Sequence, residues 1–374
     1  MKTIKVGSDF SGVGAFNQAL TRLGINYQEV FACDMDKYAR QTFIHNYGEP
    51  EYYPMNVYNR EIPKESLDIY MTSPPCQAFS MAGKRLGKED SRGILFFNSL
   101  EFIRVNNSRF FIFENVRGLL SHDKENKKDK IGRTFQEWID YLGGKSVNGI
   151  TTMMPIDGSV PYHLYYKVLN AKNHGVPQNR ERVFLIGIRD DQDNTFTWPQ
   201  EEELTKRLKD VLENEVDDKY FLTGTKINYL LRTEGTTFNV NANILKQNLP
   251  NESRTIQNSY YKGARDAQFI KVNSATSKGY EEAAEGDSIN FSVPNSQTRR
   301  GRVGKGVAQT LDTACNQATI DNYKIRRLTP RECFRLMDFP DTFTWPVSDS
   351  QAYKQAGNSI VVRVLEKIIN NLPL

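Results

Sequence analysis

Cysteine, histidine and long apolar runs are all scarce in this sequence, and each shortage excludes a class of protein. The 374 residues include four histidines and only four cysteines, namely Cys33, Cys76, Cys315 and Cys333. None of the cysteines forms a Cys-x-x-Cys pair, which argues against a zinc site and against a disulfide framework. Mean hydropathy is −0.58, and no run approaches the roughly 20 apolar residues of a membrane span. The N-terminus lacks the apolar region of a secretory signal. We therefore expect a soluble cytoplasmic protein without a metal site.

Positive and negative charges are nearly equal in number. Lys and Arg number 49 against 45 Asp and Glu, a net charge of +4. This mildly basic balance permits a nucleic-acid partner without requiring one. A hydrophobic fraction of 39% supplies a core, and the length suits one large domain or two ordinary ones.

Short apolar runs alternate with helical patterns in the first half of the chain. The last of these apolar runs lies much farther along the sequence than the others, and a further set of apolar residues at helical spacing lies at the C-terminus. Strands are predicted at 4–7, 27–32, 67–71, 109–113 and 182–188, and helices after Gly14, over about 37–45 and at 359–372. Alternation of this kind is typical of an α/β protein with a doubly wound, mostly parallel sheet.

The character of the sequence changes after about residue 189. Residues 223–322 are rich in Asn, Ser, Thr and Gly and show little helical period, which predicts a smaller, irregular β-rich domain. Because the C-terminal stripe predicts a helix that packs back on the first part, we expect a discontinuous large domain. The predicted division is 1–190 with 348–374 for the large domain, 191–325 for the smaller one, and 326–347 as a returning hinge.

Two features of the first two predicted strands suit an adenosine-type cofactor. Strand 1 runs into Phe10-Ser11-Gly12-Val13-Gly14, a glycine turn that lets backbone approach a ligand. Strand 2 ends at Asp34, where a carboxylate could hold ribose hydroxyls or merely cap the next helix. Neither feature is specific alone, because tight β–α turns are common.

Three further segments follow predicted strands or precede one. Cys76 lies in Ser73-Pro74-Pro75-Cys76-Gln77, where prolines fix the direction of a thiol at a strand's carboxyl end. Glu114 ends the fourth strand, and burial there would raise its pKa. Arg180 and Arg182 alternate before the late strand and could bind phosphate or a carboxylate, or solvate an edge.

Taken in order, these segments resemble the DNA cytosine-5 methyltransferases of bacterial and phage restriction–modification systems. The resemblance covers about 4–189 and 326–372. The matching motifs are Phe10-Ser11-Gly12-Val13-Gly14, Pro74-Pro75-Cys76-Gln77, Glu114-Asn115-Val116, Gln178-x-Arg180-x-Arg182, Arg327-Leu328-Thr329-Pro330-Arg331-Glu332-Cys333 and Gln355-Ala356-Gly357-Asn358-Ser359. The resemblance implies the Rossmann-like fold of class I S-adenosylmethionine-dependent methyltransferases.

The resemblance also implies a reaction and its catalytic residues. Cys76 would add to carbon 6 of a cytosine flipped out of duplex DNA, which activates carbon 5 for methyl transfer. Glu114 would contact ring nitrogen 3 and the exocyclic amine. Arg180 and Arg182 would contact the base carbonyl, a phosphate or Glu114.

Cofactor and DNA contacts are implied in the same way. The cofactor would be S-adenosylmethionine, with no metal. Its binding residues would be Phe10, Gly12, Val13, Gly14, Asp34, Met35, Asn56, Pro75, Asn358 and Ser359. The stretch after Cys76 resembles the family's loop that closes on DNA, and a basic glycine-rich turn in the middle segment would contact phosphates or guanine edges. The predicted DNA-binding residues are Gln77, Ser80, Lys84, Arg85, Arg92, Arg299, Arg300, Arg302 and Lys305.

Three positions depart from the family pattern, and two alternatives stay open. Ser8 stands where the family commonly has an acid, Ala15 where a glycine is usual, and Asn56 where an acid is usual. The alternatives are a tRNA cytosine-5 methyltransferase, which would carry a Cys-Phe-Thr tripeptide absent here, and a non-catalytic DNA-binding regulator. We expect a nucleoid-associated monomer, with a cognate restriction endonuclease as a possible genetic partner.

Overall fold

The structure is a computed structural model, and it describes residues 2–75, 94–126, 128–222, 270–293, 296, 298–321 and 324–374. Nine strands lie in the first half of this described part. They are β1 Ile4–Asp9, β2 Tyr27–Cys33, β3 Ile69–Thr72, β4 Phe110–Val116, β5 Ser146–Val147, β6 Ile150–Thr151, β7 Tyr162–Asn170, β8 Gln178–Asn179 and β9 Glu181–Arg189. All except β8 form one sheet in the order β2-β1-β3-β4-β9-β7-β5-β6.

The first four strands of this sheet are parallel to one another, as the β/α alternation predicts. Their core positions are fully buried, and the run Phe110–Phe113 in β4 has no exposed side chain, as expected for a strand covered on both faces. Strand β9 then enters antiparallel to both β4 and β7. The sheet is therefore mixed: the predicted parallel half is joined to a second half in which most pairs are antiparallel but β5 is parallel to β7.

Helices cover both faces of the sheet, which makes the fold doubly wound. The helices of the described residues are α1 Ala15–Arg22, α2 Lys37–Tyr47, α3 Ile94–Asn106, α4 Arg133–Leu142, α5 Pro330–Leu336, α6 Asp349–Asn358 and α7 Val362–Asn370. One core includes residues of β1, α1, α5, α6 and α7. The opposite core includes residues of β2, β4, α3 and α4. The predicted C-terminal stripe thus forms α7, which packs against α1.

A smaller β structure follows in sequence. Its strands are β10 Ile270–Asn273, β11 Tyr280–Ala283, β12 Ser288–Asn290, β13 Val303–Gly304, β14 Ala308–Gln309, β15 Gln317–Asp321 and β16 Lys324–Arg327. Strands β13-β12-β15-β16 form one sheet and β10-β11 a hairpin, around an apolar core of their own. Strand β14 pairs with β8 and so links this part to the larger one. The predicted boundary at residue 325 falls inside β16, so residues 326–327 continue the smaller sheet. The division into domains stays a prediction.

Membrane-spanning helices and clusters of metal-binding side chains are both absent from the described residues. No helix in these ranges is long and apolar enough to cross a membrane. No group of three or more His, Cys, Asp or Glu side chains in the same ranges is arranged to hold a metal ion.

Candidate active site

The carboxyl ends of the four parallel strands bring the predicted site segments to one edge of the sheet. Asp9 at the end of β1 is in register with Cys33 of β2 and with Thr72 of β3. Thr72 is in turn in register with Phe113, the residue before Glu114. The glycine turn, Asp34, the prolines before Cys76 and Glu114 therefore share the edge at which open α/β sheets bind ligands.

The glycine turn has an unusual backbone that Asp34 holds in place. Phe10, Gly12 and Gly14 all have positive φ, of 57°, 55° and 85°. The amide of Gly12 donates to Oδ2 of Asp34 at 2.8 Å, and the amide of Asp36 donates to Oδ1 at 2.8 Å. At Gly14, a Cβ atom would lie 2.3 Å from the ring of Tyr47. A side chain is therefore excluded at Gly14 by both φ and space.

The surroundings of Asp34 suit a nucleoside. Burial raises the pKa of Asp34, although the Asp36 and Gly12 amides oppose that rise. The next side chain, Met35, is 79% exposed, and an apolar side chain of this size beside a half-buried carboxylate is a surface that an adenine ring would cover. Asn56 is exposed, and its Oδ1 accepts from the amide of Tyr58 at 2.9 Å. The residues present therefore fit the adenosine part of S-adenosylmethionine.

The predicted amino-acid end of the cofactor site lies at the end of α6. Asn358 is exposed and Ser359 is buried. Helix α6 is fixed to α2 by the Thr42 hydroxyl, which donates to Oε1 of Gln355 at 3.1 Å. Val13, also predicted to bind cofactor, is 3% exposed and belongs to the core, so its side chain can offer a ligand little surface.

Glu114 and Arg182 form an ion pair at the carboxyl end of β4. Nε of Arg182 lies 3.0 Å from Oε1 of Glu114, and the two side chains are 16% and 10% exposed. Burial raises the pKa of Glu114, although the charges of Arg182 and Arg180 oppose the rise. The arrangement therefore holds, at the edge of the sheet, a carboxyl whose protonated form is favoured more than that of an exposed glutamate.

Arg180 lies close to this pair but makes different contacts. Its guanidinium is buried and donates to three backbone carbonyls: Leu311 at 3.1 Å, Gly357 at 2.9 Å and Ser359 at 2.8 Å. The sequence predicts that both arginines are catalytic. The structure places only Arg182 in contact with Glu114, and the prediction for Arg180 stays untested.

Asn115 fixes the chain that leads to the predicted nucleophile, a contact the sequence does not reveal. Its Nδ2 donates to the carbonyl of Pro74 at 3.0 Å, and its Oδ1 accepts from the amide of Val116 at 2.9 Å. Its position next to Glu114 in the motif is the only sequence signal for it. Pro75 is exposed. Cys76, Gln77, Ser80, Lys84, Arg85 and Arg92 lie outside the described residues.

The cations of the basic turn in the middle segment differ in exposure. Arg300 is exposed and Arg299 partly so, and Nε of Arg300 donates to the carbonyl of Ala275 at 3.0 Å. Lys305 is 66% exposed and pairs with Asp287 at 2.7 Å.

Arg302 lies in the same turn but is only 1% exposed. It donates to the carbonyls of Asn290, Ser292 and Val293. This placement departs from the prediction that Arg302 reaches DNA, because its guanidinium instead holds the backbone after β12.

Comparisons with known proteins agree with this geometry. The profile of the family described as C-5 cytosine-specific DNA methylase matches residues 4–373. The orphan methyltransferase M.SPRI of Bacillus phage SPR is 32% identical, over 100% of this chain and 98% of that protein. The type II methyltransferase M.HhaI of Haemophilus parahaemolyticus is 31% identical, over 97% of this chain and 92% of that protein.

A solved structure supports the fold independently. A mutant of Spodoptera frugiperda DNMT2 superposes with a TM-score of 0.60, covering 98% of each chain at 19% identity. At that identity the likeness shows the fold alone, whereas the match to the family profile extends over nearly the whole chain. The chain therefore belongs to the C-5 cytosine-specific DNA methylase family and is a DNA cytosine-5 methyltransferase.

Proposed function

We propose that the chain methylates cytosine within one short sequence of duplex DNA, with Cys76 as nucleophile and with Glu114 and Arg182 acting on the base. The observation that carries this assignment is the ion pair between the buried Glu114 and the half-buried Arg182. It lies beside Asn115, which holds the carbonyl of Pro74 two residues before Cys76. The proximity of Glu114, Arg182 and the chain at Pro74 at one edge of the sheet supports the proposal.

The roles follow from the chemistry of the base. Carbon 5 of cytosine is a weak nucleophile, and addition of the Cys76 thiolate to carbon 6 makes it enamine-like. Glu114 donates a proton or a hydrogen bond to nitrogen 3, which stabilises the electron density that moves into the ring. After carbon 5 has gained its methyl group, a base removes the carbon 5 proton and the bond from sulfur to carbon 6 breaks, which restores the aromatic ring and the free thiolate.

Arg182 has two tasks in this scheme. It keeps the Glu114 carboxyl oriented through the 3.0 Å contact, and it offers N–H donors to the base carbonyl. Glu114 also selects cytosine, because the exocyclic amine of cytosine needs an acceptor that thymine would not use.

S-adenosylmethionine, when bound, supplies an electrophilic methyl group, so that no metal is needed. Phe10, Gly12 and Gly14 would line the turn against it, and Asp34 would hold the ribose hydroxyls. Met35 would cover the adenine, whose amine Asn56 would contact. Pro75, Asn358 and Ser359 would close the site, with Val13 packed beneath the turn.

The DNA must enter between the two parts of the chain with its target base turned out of the stack, because carbon 5 is unreachable inside a duplex. We propose residues 1–190 with 348–374 as the catalytic domain, 191–325 as the recognition domain and 326–347 as the hinge. Arg299, Arg300 and Lys305 would contact DNA from the recognition domain. Gln77, Ser80, Lys84, Arg85 and Arg92 would do so from the segment after Cys76. The protein would act as a cytoplasmic, nucleoid-associated monomer, with a restriction endonuclease as a possible genetic partner.

A covalent trap tests the proposal. Duplex DNA that carries 5-fluorocytosine blocks the last step, because fluorine cannot leave as a proton does. We expect a stable protein–DNA adduct that depends on S-adenosylmethionine, with the modified peptide containing Cys76, and no adduct from Cys76→Ser. Methyl transfer to tRNA but not to duplex DNA, or an adduct on another cysteine, would contradict the proposal.

A further inference from the structure

Arg180 differs from Arg182 in that the hydrogen bonds of its side chain to the described residues all go to backbone carbonyls. The residue is 3% exposed, and it uses three of the five N–H donors of an arginine on backbone carbonyls. Leu311, which supplies one carbonyl, follows β14 of the smaller β structure. Gly357 and Ser359 supply the other two, at the end of α6. A single buried cation therefore joins three segments that are far apart in sequence.

The two carbonyls at the end of α6 explain why a cation is favourable there. The last carbonyls of a helix have no partner within the helix and carry the negative end of the helix dipole. Arg180 supplies the missing donors from outside the helix. The carbonyls that it fixes flank Asn358 directly, so the conformation of the residues proposed to hold the amino-acid end of the cofactor depends on Arg180.

Close packing also joins these segments, through contacts that do not involve the Arg180 side chain. A Cβ atom on Gly357 would lie 2.2 Å from the carbonyl oxygen of Asp312, so only glycine allows this approach. Gln178 is fully buried, and its amide donates to the carbonyl of Leu336 at 2.7 Å and accepts from the amide of Leu311 at 3.3 Å. Strand β8, which contains Gln178, pairs with β14. The motif that contains Arg180 is thus packed between the smaller β structure and the end of α6.

We propose that Arg180 is a positioning residue, which ties the turn at Gly357–Ser359, proposed to bind the cofactor, to Leu311 in the proposed recognition domain. The inference rests on the proposed assignment of Asn358 and Ser359 to the cofactor site. Arg182, two residues on, makes the contact with Glu114. The two arginines of the motif therefore have different tasks: Arg182 acts at the base, whereas Arg180 orders the cofactor end and couples it to DNA recognition.

The test compares Arg180→Lys with Arg182→Lys. Lysine keeps the charge but cannot reach three carbonyls in a planar fork. Binding of S-adenosylhomocysteine is measured by calorimetry without DNA, together with KM for S-adenosylmethionine and the single-turnover rate at saturating cofactor. We expect Arg180→Lys to weaken S-adenosylhomocysteine binding and to raise KM about tenfold, while it keeps the rate within about threefold. We expect Arg182→Lys to show the reverse, with normal cofactor binding and a much slower rate.

The outcomes separate this inference from the proposed function. Wild-type affinity for S-adenosylhomocysteine in Arg180→Lys, with a rate as slow as that of Arg182→Lys, overturns the positioning role. A wild-type protein that binds no S-adenosylhomocysteine contradicts the proposed function and this inference with it.

If Arg180→Lys does not fold, hydrogen exchange of the wild type decides. Addition of S-adenosylhomocysteine without DNA should slow the exchange of amides in residues 311–317, and unchanged exchange there overturns the coupling.

Discussion

Two opposing effects act on the pKa of Glu114. Desolvation disfavours its charged form, whereas Arg182 at 3.0 Å and the nearby Arg180 favour it. Burial dominates and the pKa is raised, so the carboxyl can hold a proton closer to neutral pH than an exposed glutamate does. In the proposed mechanism, this group would deliver a proton to nitrogen 3 of cytosine and recover it at the end of the cycle.

Replacement of Glu114 by glutamine isolates that proton. Glutamine keeps the shape and one donor but cannot transfer a proton, so the single-turnover rate of Glu114→Gln should fall by about 100-fold or more. DNA binding should be kept. The matched control is Glu181→Gln, a surface carboxylate paired with Arg117, which should keep the rate within about twofold. A rate for Glu114→Gln close to that of the control would remove Glu114 from the chemistry.

Ser8 stands where the family commonly has an acid, and the neighbouring residue, Asp9, does not replace that acid. Successive side chains of a strand point to opposite faces, and Asp9 therefore cannot stand in for the acid that the family has at position 8. Its carboxylate instead accepts from Nε and Nη2 of Arg60, both at 2.9 Å, and from the hydroxyl of Tyr70 at 2.6 Å. The Asp9 and Arg60 side chains are 0% and 2% exposed, so the pair is a structural element beneath the glycine turn.

Loss of one partner should therefore be costly. Asp9→Asn leaves the Arg60 charge buried without its counter-ion, and we expect the free energy of unfolding to fall by about 3–5 kcal/mol. Urea unfolding measures the change. The double variant Asp9→Asn with Arg60→Met should recover much of the loss, because it removes the unpaired charge. A single variant within 1 kcal/mol of the wild type would contradict the role assigned to the pair.

At the scale of elements, the contact between α1 and β2 contains a carboxyl that is unusually hard to ionise. Glu29 of β2 accepts from Nδ2 of Asn17 in α1, and its other oxygen is buried with no partner among the described residues. Burial raises the pKa of Glu29 to about 8, although the Asn17 hydrogen bond opposes the rise. The folded state therefore keeps a proton that the unfolded chain loses near its ordinary value of 4.5.

The stability of this contact should depend on pH. Because the folded pKa is the higher one, the contribution of Glu29 is fully present below about pH 4.5 and is lost as pH rises through about 8. Glu29→Gln has no charge to lose, so it should be more stable than the wild type by about 2–4 kcal/mol at pH 8 and nearly equal at pH 4.5. Urea unfolding at both pH values checks this. A difference that is the same at both would show that Glu29 ionises normally.

Elements with a strong local signal could be predicted, and those defined by distant partners could not. The buried parallel strands β1 to β4 were predicted because each is a short apolar run bounded by turns. Helix α4 is not among the predicted elements, although Phe135, Trp138, Ile139 and Leu142 are buried at helical spacing, so the sequence does contain a local signal for it. Strand β7 is not among the predicted strands either, because it mixes polar and apolar residues. The antiparallel entry of β9 depends on its neighbours β4 and β7, which no local pattern specifies.

At the scale of the whole molecule, the site depends on contacts between distant segments. Arg180 and Arg182 look equivalent in the sequence. The partners of Arg180 lie 131 to 179 residues away, and they can be known only once the chain has folded. Arg302 gives a second example. It is buried, whereas Arg300 of the same basic run is exposed. The sequence could therefore predict which segments form the site, but not how each arginine is used.

The central proposal is that one thiol, that of Cys76, carries out methylation of DNA. Bisulfite sequencing of plasmid DNA from cells that express the wild type or Cys76→Ser tests this most directly, because 5-methylcytosine resists deamination. Cys333→Ala is the control, since Cys333 is fully buried in α5 and has no part in the site. We predict protected cytosines within one short sequence for the wild type and the control, and none for Cys76→Ser. Protection that survives Cys76→Ser, or no protection by a folded wild type, would contradict the account.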